Sequence, residues 1–244
     1  MIGTNMPDRY QSLQYHGNVC ISGLTAAGKT THSHLLAGEF GLTYVSGSQI
    51  QLNFLGISPI QSKDFWITES AKGLWNAEDF RRIDSELQRI ESTSNGCIFD
   101  TSTMPWRHQG DALCIWLESS LRSRVAKSIV SHRGRSHFPP EDYEPRILEK
   151  DASTIKLYKE LYNIDIGQDL SCFDLILDIS TLIETPDFAT SLMSIAVAHS
   201  VIRPAVAWYL TGSSVFEKQF EIALATLPDQ IVTLNAVKSK IVRR

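Results

Sequence analysis

Five short apolar runs recur along the chain: Val19–Ser22, Leu42–Val45, Cys97–Asp100, Leu113–Leu117 and Phe173–Ile179. They are rich in Val, Ile, Leu, Phe and Cys and lack strict alternation, the pattern of strands covered on both faces. Helical spacing appears between them. Lys29–Phe40 carries Leu35, Leu36 and Phe40 on one side and stops before Gly41. Ala77–Ser92 spaces Phe80, Ile83, Leu87 and Ile90 as a helix face, and Leu121–Val130 and Pro145–Leu161 read as two more helices. Strands alternating with helices predict an α/β fold of three layers, a parallel sheet with helices on both faces.

Two stretches break this rhythm. Ser131–Tyr143 is polar, basic at first and contains two prolines, so it reads as a mobile surface loop. From about Val201 the chain carries Arg203-Pro204, a tryptophan–tyrosine pair and an amphipathic stretch from Val215 to Leu227. This reads as an appended strand and helix. The expected division is a main domain over 1–200 and an extension over 201–244 packed on it.

Composition adds boundaries. The chain has 244 residues, 43% of them hydrophobic, enough for one substantial core. A net charge of -4 does not fit a protein dedicated to gripping nucleic acid, although a modified base stays open as a small acceptor. Cys20, Cys97, Cys114 and Cys172 form no CxxC pair and lie in or beside apolar runs, as reduced buried thiols do. The first residues lack the apolar centre of a signal peptide, and no run reads as a membrane span. The expected location is the cytoplasm, with no membrane partner.

Gly23-Leu24-Thr25-Ala26-Ala27-Gly28-Lys29-Thr30 fits G-x-x-x-x-G-K-[ST], with Thr31 following. A strand precedes it and a helix follows, which is the context the motif requires. Glycines let successive N–H groups curl around an anion, and the helix N-terminus adds a positive dipole end. Lys29 supplies a point charge to the β/γ-phosphates, and the Thr30 hydroxyl is a ligand for Mg²⁺. A glycine-bracketed turn is the plain alternative, but a chance match in a chain this long occurs on the order of once in a hundred.

Asp100 ends the third apolar run. In a parallel sheet strand carboxyl ends line the ligand crevice, so Asp100 is expected near the loop, holding Mg²⁺ or taking a proton from the acceptor. Asp100-Thr101-Ser102 is also turn chemistry. Arg122, Arg124 and Lys127, followed by Arg133 and Arg135, read as a basic lid whose arginines neutralise transition-state charge, or else as a solvated helix face. Lys150-Asp151 is a weaker candidate. His32 and His34 are two apart on one helix and face different sides, and no histidines form a metal constellation.

The loop through Thr31, the alanine- and leucine-rich helix after it and Tyr44-Val45-Ser46 together resemble the opening of cytidylate kinases and related nucleoside monophosphate kinases. Lys150-Asp151-Ala152-Ser153, Tyr158–Ile166 and Phe173–Ser180 are similar to that family's lid-to-last-strand region. The resemblance covers roughly residues 19–180. It implies a five-stranded core of order 2-3-1-4-5, an acceptor-binding insert near 48–90, a lid near 121–150, and ATP with Mg²⁺.

The departures are specific. Those kinases hold the acceptor phosphate with arginines after the second and third strands. Here the first region reads Ser46-Gly47-Ser48-Gln49-Ile50-Gln51-Leu52-Asn53 and the second Asp100-Thr101-Ser102. Lys63, Lys72, Arg81, Arg82 and Arg107 are the cations available to substitute. Ser48, Gln49, Thr101 and Ser102 suit an uncharged hydroxyl acceptor better than a phosphate. Three functions compete: a kinase for a hydroxyl on a metabolite, nucleoside or modified base; a cytidylate kinase; and a nucleotide-binding regulatory module without transferase activity.

Overall fold

The computed structural model describes residues 17–54, 76–133, 138–226 and 232–234. Strand β1 (Asn18–Ser22) leads into helix α1 (Lys29–Phe40), then β2 (Thr43–Ser46) and α2 (Gly47–Phe54). Helix α3 (Ala77–Thr93) precedes β3 (Cys97–Asp100), a short α4 (Met104–Arg107) and β4 (Ala112–Glu118). After α5 (Leu121–His132) and α6 (Tyr143–Tyr162) come β5 (Leu175–Asp178), α7 (Phe188–Thr211), α8 (Ser214–Ala225) and β6 (Val232–Leu234).

Five strands are parallel in the order β2-β3-β1-β4-β5, and β6 adds an antiparallel edge beside β5. The expected sheet is present, with one strand more. Alternation decides which helix each strand residue meets. Val19, Ile21, Ile115 and Leu117 join Leu36 of α1, Val201 and Tyr209 of α7 and Phe220 of α8 in one core. Cys20, Phe99, Cys114 and Trp116 join Ile83 and Leu87 of α3, Tyr158 of α6 and Phe173 in the other. The four cysteines are free thiols.

Local chemistry sets the ends. Gly41 closes α1 in the left-handed conformation at φ 64, its N–H bonded to Ala37 O, so the helix stops where expected. Asn76 caps α3 by accepting from the Glu78 and Asp79 amides, with Asp79 answering as a capping box. The last parallel strand is shorter than its apolar run, because Asp174 turns inward and accepts from the Cys114 N–H at 2.8 Å.

The tail holds the helix α8 and the strand β6. No break falls at residue 200: α7 is one helix of 24 residues with Pro204 inside it, and Val201, Ile202 and Ala205 through Leu210 lie in the main core. By length and composition alone this helix could cross a membrane. Its C-terminal half is packed against the sheet instead. Residues 55–75, with Lys63 and Lys72, and 134–137, with Arg135, lie outside the described residues. So does most of the expected loop's basic tip. Its ends belong to α5 and to a single 3₁₀ turn at Pro140–Asp142.

Candidate active site

The loop from Gly23 to Thr30 joins β1 to α1. Gly23 has φ 154, and a Cβ there would stand 2.6 Å from the Leu117 carbonyl oxygen, so glycine is required by space and by backbone. Ala26 is left-handed at φ 62 with a full side chain, a conformation that costs an L-residue roughly 1–2 kcal/mol. Lys29 Nζ donates to Gly23 O at 2.7 Å and Leu24 O at 2.9 Å. Burial pushes its pKa below the ordinary lysine value, while Asp100 and Asp151 pull it back up. Residues 23–30 thus form one continuous turn held by Lys29, and Thr30 and Thr31 are both exposed at the start of α1.

Asp100 arrives beside this turn by strand register, paired with Ile21 and Ser46. It is buried, and its Oδ2 accepts from Thr30 Oγ1 at 2.6 Å and from Tyr44 Oη at 2.9 Å. Thr30 and Asp100 offer hard oxygens of the type Mg²⁺ takes together with phosphate oxygens, so the donor set fits that ion. Tyr44 was not singled out from sequence as a site residue. Burial raises its phenol pKa, and the Asp100 charge raises it further. The His34 ring stacks on it at 4.0 Å between centroids.

The two lid arginines separate. Arg124 is buried: its Nε donates to Ser119 O at 3.1 Å and its guanidinium to Thr25 O at 3.1 Å, and it is paired closely with Asp151. Asp151 Oδ1 in turn accepts from the Thr25 N–H at 2.9 Å. Lys127 donates to Ala27 O at 3.3 Å and Ser119 Oγ at 2.9 Å, and burial with Arg124 nearby lowers its pKa to about 7. Arg122, expected to be catalytic, instead reaches Glu184, donating to its carbonyl at 3.2 Å. Its carboxylate lies 3.7 Å away, with both side chains half or more exposed. Two residues apart on a helix, the arginines had to face different ways. Lys150, the weaker candidate, is half-buried, and burial with the charge of Lys29 lowers its pKa to about 8, while Asp151 and Asp100 oppose the shift.

On the expected acceptor side, Ser48 is exposed at the start of α2, and Gln49 bonds to Ser46 through its N–H and to Asn53 through its side chain. Thr101 Oγ1 accepts from the Met104 N–H at 3.1 Å, so it performs the turn role as well as lying beside Gly47. Ser102 O accepts from Ser22 Oγ. Arg107 lies over the Tyr162 ring at 3.7 Å and donates to Gln88. Near it is Asp84, buried, whose pKa burial raises. Arg82 covers Phe54 and Arg81 pairs with Glu78, in a surface cleft of about 330 Å³. His32 is buried with its pKa lowered to about 3 by burial and by His199, which fits a packed core histidine.

The sheet order, the glycine loop with Lys29 and the strand-end Asp100 define a P-loop kinase. Cytidylate kinase of Methanococcoides burtonii is 33% identical over 164 residues, covering 66% of this chain and 86% of that protein. The same enzyme of Methanopyrus kandleri is 30% identical over 184 residues, covering 70% and 89%. That of Pyrococcus horikoshii is 29% identical over 184 residues, covering 74% and 88%. The chain belongs to the cytidylate kinase family, and it is an ATP-dependent kinase with a small-molecule acceptor. No protein-family model matches it. Among solved structures, shikimate kinase from Bacteroides thetaiotaomicron has a TM-score of 0.43 at 10% identity, covering 77% of this chain and 98% of that one.

Proposed function

We propose that the protein moves the γ-phosphoryl group of ATP to a hydroxyl on a small metabolite, nucleoside or modified base. The observation that carries this reading is the chemistry around Asp100. One carboxylate oxygen is engaged by Thr30 and Tyr44, and the residues that follow it are the uncharged Thr101 and Ser102. The second oxygen is then the acceptor for a hydroxyl proton. As the acceptor oxygen bonds to the γ-phosphorus, its proton passes to Asp100, the bridging P–O bond breaks and ADP leaves. The loop backbone and Lys29 hold the β/γ-phosphates, and Lys150 adds the second nearby charge. The Thr30 hydroxyl would hold Mg²⁺, which when bound neutralises charge on the phosphate oxygens.

Cytidylate as the acceptor is the second reading, favoured by the names of the relatives. Against it stands the loss of two arginine positions, each worth about 1.5–3 kcal/mol as a charge-assisted contact. Arg107 does not replace them simply, because it already donates to Gln88 and lies over the Tyr162 ring.

A panel of CMP, dCMP, nucleosides and hydroxylated metabolites, scored by ADP release, tests the choice. We expect CMP to be a poor acceptor, and Asp100→Asn to abolish transfer to the best hydroxyl substrate while ADP still binds. CMP turnover with kcat/KM above about 10⁵ M⁻¹s⁻¹ would establish the second reading instead.

A further inference from the structure

We propose that Arg124, Lys127 and Asp151 are positioning residues that pre-set the phosphate loop through its backbone, and that they do not act on the transferring phosphoryl group. This inference rests on the reading that residues 23–31 hold nucleotide phosphates.

In a trans peptide the C=O of one residue and the N–H of the next point to opposite sides. Anchoring a carbonyl therefore aims the following amide. Lys29 anchors the carbonyls of Gly23 and Leu24, Arg124 that of Thr25 and Lys127 that of Ala27. The carbonyl bonds of Arg124 and Lys127 aim the amides of Ala26 and Gly28. Asp151 takes the Thr25 N–H, so both polar groups of Thr25 are held by one buried ion pair. Between the anchored units sits Ala26, left-handed at φ 62. Such a conformation persists in a residue with a Cβ only where the surroundings over-determine it. The three side chains are those surroundings.

The same contacts argue against a direct role for Arg124. Its guanidinium serves Ser119 O, Thr25 O and Asp151, with a side chain 6% exposed. Reaching a phosphate would cost the buried Asp151 its direct ion-pair partner and free the Thr25 carbonyl. Arg124 and Asp151 lie on α5 and α6, so both helices of the expected lid region are tied to loop residue Thr25.

The test is calorimetric titration of the full chain with MgADP. Asp151→Asn keeps the shape, removes the charge and should weaken MgADP binding by about tenfold or more. Adding Ala26→Gly should restore most of that loss, because glycine holds the left-handed turn without help. The Thr25 and Ala26 amide resonances of the free protein should move in Asp151→Asn. Lys127→Met removes the donor to the Ala27 carbonyl while leaving the Arg124–Asp151 pair intact and should show a smaller loss with the same rescue. It decides the matter if Asp151→Asn does not fold. Unchanged affinity in the folded variants overturns the proposal, as does a loss that Ala26→Gly leaves in place, since that is the behaviour of a charge acting on the nucleotide. In either case MgADP binding by the unmodified chain leaves the phosphate-loop reading standing. Absence of that binding removes both.

Discussion

Tyr44 and Asp100 meet across adjacent strands, the phenol donating at 2.9 Å to the carboxylate oxygen that also accepts from Thr30. The two donors fix the plane of the carboxylate and leave one oxygen for chemistry. Tyr44→Phe removes one donor without changing the ring on which His34 stacks. Turnover should fall about tenfold, the scale of one hydrogen bond to a charged group, while ADP affinity stays within about twofold. Parallel measurement of kcat and of ADP binding checks this, and an equal loss in both would assign Tyr44 to the fold.

Lys150 gives opposite signs for activity and stability. Its pKa is about 8 in the folded chain against an ordinary 10.5, with burial the main cause. The ammonium is present below about pH 8 and lost above it, so with Lys150 serving the phosphates as proposed, kcat/KM for ATP, which reports the free enzyme, should decline through that pH. Between about 8 and 10.5 the unfolded chain binds this proton more tightly, so the same group makes stability rise over that window. Lys150→Arg stays charged, and its pH–rate profile should run flat beyond 8.

Ala26→Gly relieves the left-handed strain at φ 62. The gain is partly offset by the greater freedom of glycine in the unfolded chain, leaving about 0.5–1 kcal/mol of added stability. Gly23→Ala should do the reverse and impair ADP binding, because its Cβ would press on the Leu117 carbonyl at 2.6 Å, which is backbone and cannot swing aside. Denaturant midpoints of the two variants check both signs.

Arg122→Ala should leave kcat within about twofold, since an exposed pair such as that with Glu184 contributes about 0–1 kcal/mol and touches no loop residue. A hundredfold loss would return Arg122 to the catalytic group.

The phosphate loop and Asp100 were legible in sequence because local chemistry specifies them: a glycine pattern between strand and helix, and an acid at a strand end. The sheet was legible because strands buried on both faces read as unbroken apolar runs. Helix α7 was not, since its C-terminal half is buried on most sides while Phe188, Leu192 and Met193 in its first half are exposed, so no single amphipathic stripe runs along it, and Pro204 reads as a breaker. Helical spacing placed Arg122 and Arg124 on one element but could not say which faces the loop. Asp151 and Tyr44 meet their partners across 126 and 56 residues, and no local rule specifies such a meeting.

The antiparallel strand at Val232–Leu234 has a consequence for behaviour at high concentration. It covers the outer side of β5 by pairing with Leu175, Ile176 and Leu177. Without it, that side would present open N–H and C=O groups on an apolar strand, a template for a strand from another molecule. It moves the open edge of the sheet from the apolar β5 to a strand of three residues, and a very short edge strand is a poor template. A protein shortened after Thr226 would keep its nucleotide cradle and begin to self-associate as it is concentrated.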